Sequence, residues 1–223
     1  MIITISGTPG SGKSTVGKLL AKKLGYKYYS IGAMRRAMAK ERGMTLQEFN
    51  VLGEKHSFTD VDIDRWQTKL GRERDNLVVE GRTSFHFIPH SVKIFLKVDL
   101  TEAARRIFHD PAHVRRFEAS HHYQTVKELE HGLRGRMASD ARRYKKYYGL
   151  NFYLAKHYDI VLDTTKKLPP TTLKTILTYT RKNKAKISRR ERTGITPKFS
   201  TVFGSKKKVV RNKKILAKIK RKK

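Results

Sequence analysis

The chain has no cysteine among its 223 residues. Disulfides and thiolate metal sites are therefore excluded, and the composition suits a reducing compartment, so a cytoplasmic protein is expected. Long hydrophobic runs are also missing. None reaches the ~18 apolar residues of a membrane-spanning helix, and no membrane contact is expected. Met1 leads straight into a short apolar run, without the basic start and longer apolar stretch of a secretory signal. Internal repetition at periods of about 20–50 residues is absent. Acids are scarce: 19 Asp and Glu stand against 51 Lys and Arg, for a net charge of +32. The imbalance is uneven. Residues 181–223 hold 19 basic residues and one acid, Glu191, for +18, while residues 1–180 carry +14. Such a block repels itself and is drawn to polyanions. It reads either as a disordered solubilising extension or as an arm making non-specific nucleic-acid contact. The length accommodates one α/β domain over 1–180 and this basic, flexible tail over 181–223.

What is present alternates between strand and helix. IITIS (2–6) has the profile of a buried parallel strand, and VGKLLAKKLG repeats its apolar residues at helical spacing before stopping at Gly25. YKYYS (26–30), NLVVEGR (76–82), VKIFLKV (92–98) and YDIVLDT (158–164) read as further strands. Helices are expected over 31–43, from Thr45 with a capping box to Glu48, over 60–74, from Thr101 to Phe108, over 123–148 and from Pro169 to Thr180. This alternation predicts a parallel sheet covered on both faces.

The segment from Gly7 to Ser14 fits G-x-x-x-x-G-K-[ST] in full, after a strand and before a helix. Gly7, Thr8, Pro9, Gly10, Ser11, Gly12, Lys13, Ser14 and Thr15 are the expected ATP-binding residues. Glycines let successive N–H groups turn toward phosphate oxygens, and the following helix adds its own unpaired donors. Lys13 is placed to bridge the β- and γ-phosphates, and the Ser14 hydroxyl to ligate Mg²⁺. Glu80, at the tip of LVVE, is the expected carboxylate near that ion, directly or through water. Gly81 follows it, and Arg82 is then free to point at a substrate phosphate.

The N-K-x-D signal of guanine-binding switches does not follow the fourth strand. Arginines come in groups instead: Arg35 and Arg36, Arg115 and Arg116, and Arg134, Arg136, Arg142 and Arg143. Arg136, Asp140 and Arg143 share one helix face, where they can clamp a transferring phosphoryl group or form a solvated charged surface. Four histidines, His109, His113, His121 and His122, read as surface groups or as metal ligands.

The segments ITISGTPGSGKSTVGKLLAKKLG, YSIGAMRRAMAKERGMTLQEFN, DVDIDRWQ, VVEGR, SDARRYKKYYGL and YDIVLDTT resemble the nucleoside monophosphate kinases, most closely the archaeal-type cytidylate kinases. The resemblance spans roughly residues 1–180. It implies a P-loop kinase three-layer sandwich with a five-stranded parallel sheet in the order 2-3-1-4-5, a helical monophosphate-binding insertion and a lid. It further implies direct in-line transfer from ATP, with Mg²⁺, to CMP or dCMP by a monomer. Ser30, Gly32, Arg36, Arg82 and Asp140 match monophosphate-side positions, and Lys13, Arg136 and Arg143 match catalytic ones. Asp60 and Asp64 fall in the insertion, either as readers of a cytosine amino group or as charges at a helix N-terminus. Lys97 departs from an acid that related enzymes can carry after the fourth strand's leucine, which leaves AMP or UMP open as acceptors. An ATP-binding factor acting on nucleic acid is the reading from a different class.

Overall fold

The computed structural model describes residues 1–56, 58–110 and 123–183. Arg115, Arg116, His113, His121 and His122, and all but the first residues of the basic tail, lie outside them.

Five strands, β1 (Ile2–Gly7), β2 (Lys27–Ser30), β3 (Leu77–Glu80), β4 (Val92–Lys97) and β5 (Ile160–Asp163), form one parallel sheet in the order β2-β3-β1-β4-β5. β1 lies in the centre, with Ile5 opposite Glu80 on β3 and Gly7 opposite Leu96 on β4. Both faces of β1 are buried, which is why its sequence is apolar with little alternation.

The period-2 geometry of the strands splits the core. Ile3, Ile5, Val78, Ile94 and Leu96 face α1 (Lys13–Leu24) and the last helix, which meet them with Val16, Leu20 and Ile176. Ile2, Leu77 and Val79 face α2 (Ile31–Lys40), α3 (Leu46–Lys55) and α4 (Phe58–Glu73), through Met38, Phe49, Ile63 and Leu70. Each such side chain withdrawn from water contributes roughly 1.5–3 kcal/mol. A short α5 (Ser84–Phe87) and α6 (Leu100–Phe108) flank β4. The 23-residue α7 (Val126–Tyr148) packs Leu129 and Leu133 onto α6. Among the described residues the last helix is α8 (Pro169–Lys182), two residues longer than expected.

Local signals explain most boundaries. α1 and α7 end at Gly25 (φ 68°) and Gly149 (φ 63°), each in the left-handed conformation that favours glycine. The capping box is formed, with Thr45 Oγ1 accepting from the Glu48 N–H and Glu48 Oε2 accepting from the Thr45 N–H. Thr101 does not open α6. Asp99 caps it, accepting from the Glu102 N–H at 3.0 Å, because a carboxylate meets the helix N-terminus well.

Candidate active site

The C-terminal ends of β1 and β3, the loop before α1 and the inner face of α7 converge on one place. The loop is held from three sides. The Thr8 N–H donates to Leu96 O at 3.0 Å, Thr8 Oγ1 accepts from the Val98 N–H at 3.1 Å, and Thr164 Oγ1 donates to Ser11 O at 3.2 Å. Gly7 (φ 150°) runs so close to β4 that an added Cβ would lie 2.0 Å from Leu96 O. Gly12 (φ 79°) supplies the left-handed turn into α1. Lys13 Nζ donates to Thr8 O at 2.5 Å, curled over its own loop. Burial pulls its pKa down to about 7. Glu80 and Asp140 pull upward, and Arg82 and Arg136 push further down. A cation so crowded by cations is poised to gain from an anionic ligand.

Glu80 is buried at 8% exposure, and three hydroxyls donate to its Oε2: Tyr28 at 2.6 Å, Ser30 at 2.9 Å and Ser14 at 3.0 Å. Burial raises the carboxyl, but Lys13 and the three hydroxyls outweigh it and hold the group below its usual range. An ionised carboxylate beside the loop serine is the hard oxygen donor set that Mg²⁺ prefers, so these residues fit the ion that Ser14 and Glu80 would hold. No group of three or more His, Asp or Glu with metal-binding spacing occurs among the described residues. The His109 N–H closes the end of α6, and its ring meets Phe108 edge-on at 5.5 Å.

Arg82 stands beyond Gly81, whose carbonyl accepts from Ser6 Oγ at 2.8 Å and so ties this turn to β1. Arg82 Nε lies 2.8 Å from Asp140 Oδ2, but its N–H points off that line, making an ion pair rather than a hydrogen bond. Arg136 lies within electrostatic reach of Arg82, Asp140 and Arg36, and burial followed by Arg82 lowers its pKa to about 10. Ser30, Gly32 and Arg36 are neighbours: a Cβ on Gly32 would be 3.6 Å from Arg36 Nη1 and 3.9 Å from Ser30 Oγ. Lys13, Arg36, Arg82 and Arg136 thus form one basic cluster around the loop.

Arg143 is placed differently. At 1% exposure, its Nη2 donates to Asp140 Oδ1 at 3.0 Å and to the Tyr144 hydroxyl at 3.0 Å. Its Nη1 donates to Asn50 Oδ1 at 3.3 Å, and its Nε lies 3.6 Å from Asp60 Oδ2. Arg35 joins the same network, donating to Asn50 Oδ1 at 3.1 Å and to Asp60 Oδ1 at 2.5 Å. α2, α3, α4 and α7 are locked together at this point. Arg134 and Arg142 point outward, to Glu130 at 3.0 Å and Glu54 at 3.3 Å.

Asp60 and Asp64 are both buried, so neither is merely a solvated helix-end charge. Asp64 takes hydrogen bonds from Tyr148 and from Gln67 Nε2 at 3.1 Å, and Gln67 in turn accepts from Ser84 Oγ at 2.7 Å. That chain links α4, α5 and α7. Lys97 is on the far side of β1 from the insertion, where it pairs with Asp163 at 3.4 Å. Between α3 and α7 lies a cavity of about 1000 Å³, walled by Gln47, Asn50, Glu54, His131, Arg136 and Ser139. Tyr28, Asn50, Gln67 and Tyr153 join the site without any signal in the sequence, because isolated tyrosines and amides carry no spacing rule.

A glycine-lysine loop leaving the central strand of a 2-3-1-4-5 parallel sheet defines a P-loop kinase. The solved shikimate kinase of Bacteroides thetaiotaomicron shares this fold, with a TM-score of 0.55 at 14% identity over 81% of this chain and 98% of that one. Within that class, the chain belongs to the cytidylate kinase-like family, whose model matches residues 2–166. It is 40% identical to the cytidylate kinase of Methanocella arvoryzae over 169 residues, covering 74% of this chain and 89% of that protein. The cytidylate kinase of Methanobrevibacter smithii is 32% identical over 178 residues, covering 80% and 97%.

Proposed function

We propose that this chain transfers the γ-phosphoryl group of ATP to CMP or dCMP. The observation that carries the reading is the cluster of Lys13, Arg36, Arg82 and Arg136, which brings cations from the loop, α2, the β3 turn and α7 to one point. That exceeds what a triphosphate on the loop alone requires and suits a second phosphate facing the first. Residues 7–15 hold the donor, and Ser30, Gly32, Arg36 and Arg82 hold the acceptor phosphate. Ser14 and Glu80 would hold Mg²⁺, which would supply neutralisation of the donor's negative charge. Lys13 and Arg136 contact the transferring group, and Asp140 orients Arg82. Arg143 acts from behind, fixing Asp140 and the insertion. The acceptor phosphate oxygen is already nucleophilic, so positioning and charge stabilisation suffice without a covalent intermediate.

Similarity to the archaeal cytidylate kinases supports cytosine as the base. Initial rates with CMP, dCMP, UMP and AMP under saturating ATP·Mg²⁺ test it. The expected result is the highest kcat/KM for CMP or dCMP; a preference for AMP or UMP overturns the base assignment, and no transfer to any of the four overturns the reaction. The basic segment of residues 181–223, whose first two residues finish α8, carries a charge of +18 that suits polyanions. Truncation after Asn183 should spare kinase activity and remove salt-sensitive retention on nucleic acid. Retention that survives truncation refutes the role of the segment.

A further inference from the structure

The tyrosines around α7 and β5 are bonded with one exception. Tyr144 OH accepts from Arg143, Tyr147 OH donates to Glu54 O at 3.2 Å, Tyr148 OH donates to Asp64, and Tyr158 OH donates to Phe152 O at 2.6 Å. The hydroxyl of Tyr153 is buried and meets no hydrogen-bond partner among the described residues. Its ring is not loose. It packs on Phe152 with centroids 4.1 Å apart and edge-on to Phe95 at 6.3 Å, and its N–H donates to Asn151 Oδ1 at 3.1 Å. A rigid ring therefore aims an unsatisfied hydroxyl in a fixed direction.

That direction matters because of the neighbours. Tyr153 lies within electrostatic reach of Arg82, Asp140 and Arg136. Arg82 Nε and Asp140 Oδ2 are also buried without a well-directed hydrogen bond. Those two hold each other as an ion pair at 2.8 Å, and a carboxylate only accepts, so the buried donor left without an acceptor is the Tyr153 hydroxyl, in the field of the cationic Arg82 and Arg136. An unmade buried hydrogen bond is costly and calls for an explanation. Resting on the kinase reading above, we propose that the Tyr153 hydroxyl donates a hydrogen bond to an acceptor-phosphate oxygen held by Arg82 and Arg136. Tyr153 is then a substrate-contacting residue that no motif marks.

Tyr153→Phe removes the hydroxyl alone. In the unliganded protein its melting temperature should match or exceed that of the wild type, because the lost oxygen had no partner. The kcat/KM for CMP should fall about ten- to hundredfold, the range for a hydrogen bond to a charged group, with KM for ATP changed less than about twofold. CMP titrated by calorimetry into the unliganded protein, with no ATP present, should bind the variant more weakly by about the same factor, a readout independent of catalysis. Wild-type CMP affinity in the variant overturns the proposal, whatever the kinetics. So does a lowered unliganded melting temperature with unchanged CMP kinetics, which would assign the hydroxyl to Asp140 instead. An inactive wild type whose CMP affinity still depends on Tyr153 would sink the kinase reading and leave the phosphate contact standing.

Discussion

Replacing Asp140 by asparagine removes one negative charge from the most densely charged part of the interior. Asp140 is 1% exposed, 2.8 Å from Arg82 and 3.0 Å from Arg143, with Arg136 and Arg35 also in its field. At an effective dielectric constant of ~20, each of the two close contacts carries about 5–6 kcal/mol of gross attraction. Desolvation offsets much of that in the intact pair. In D140N the offset is lost unequally, since the arginines stay buried while their counter-charge disappears. Breaking a buried pair in this way costs about 3–5 kcal/mol. For a protein of this size the loss corresponds to a fall in Tm of roughly 6–20 °C. Urea denaturation should show a lower midpoint at an unchanged slope, and Arg143→Met added to D140N should cost less than the sum of the two single changes. The pH dependence has a definite sign. Burial raises the Asp140 carboxyl, but Arg82, Arg143 and Arg136 outweigh it and hold the group below its usual 3.8. Its contribution is therefore fully present above 3.8 and lost as pH falls through the lower folded value. The gap between wild type and D140N should be constant from about pH 5 to 8 and close in acid. A D140N protein within about 0.5 kcal/mol of wild type at pH 7 would refute the network as a source of stability.

Lys13→Ala should abolish transfer while leaving Tm unchanged or higher, because it removes a cation whose pKa burial lowers to about 7; a coupled assay showing near-normal turnover would remove Lys13 from the chemistry. Arg36→Ala should raise KM for CMP at least about tenfold while KM for ATP shifts far less, and equal shifts in both would remove Arg36 from the acceptor side. Asp64 is raised well above 3.8 by burial and then by Asp60, against Tyr148, Arg35 and Arg143, so its folded form holds a proton that the unfolded chain releases. Wild-type stability should fall as pH rises from 3.8 through that folded value, and the Tm advantage of Asp64→Asn should grow with pH; parallel melting profiles from pH 5 to 8 would refute this.

Elements written in short stretches of chain are legible in the sequence alone. The loop at 7–14, the glycine stops at Gly25 and Gly149 and the box of Thr45 with Glu48 each depend on residues within a few positions of one another. The arginines of α7 are legible only as a group. Helical spacing puts Arg136 and Arg143 on one face, but it does not say that Arg136 joins Lys13 while Arg143 is enclosed by Asp60, Asp140 and Asn50. Thr101 loses the start of α6 to Asp99, two residues earlier: both are capping types, and the carboxylate of Asp99 accepts from the Glu102 N–H.

The sequence by itself determined the phosphate-binding loop and its place, since nine consecutive residues between a strand and a helix contain every group that a phosphate needs. It also determined the layered α/β order, through short apolar runs that alternate with segments of helical spacing. Only the tertiary structure decided which charges gather beside the loop and which are enclosed between the helices. Arg82 and Asp140 are distant in sequence, and they meet at 2.8 Å because the turn after β3 and the inner face of α7 come together, while the loop after α7 sets the Tyr153 ring edge-on to Phe95 of β4. Burial then sets their chemistry: the same arginine is a solvated charge at position 134 and a keystone at 143, because water reaches one and not the other.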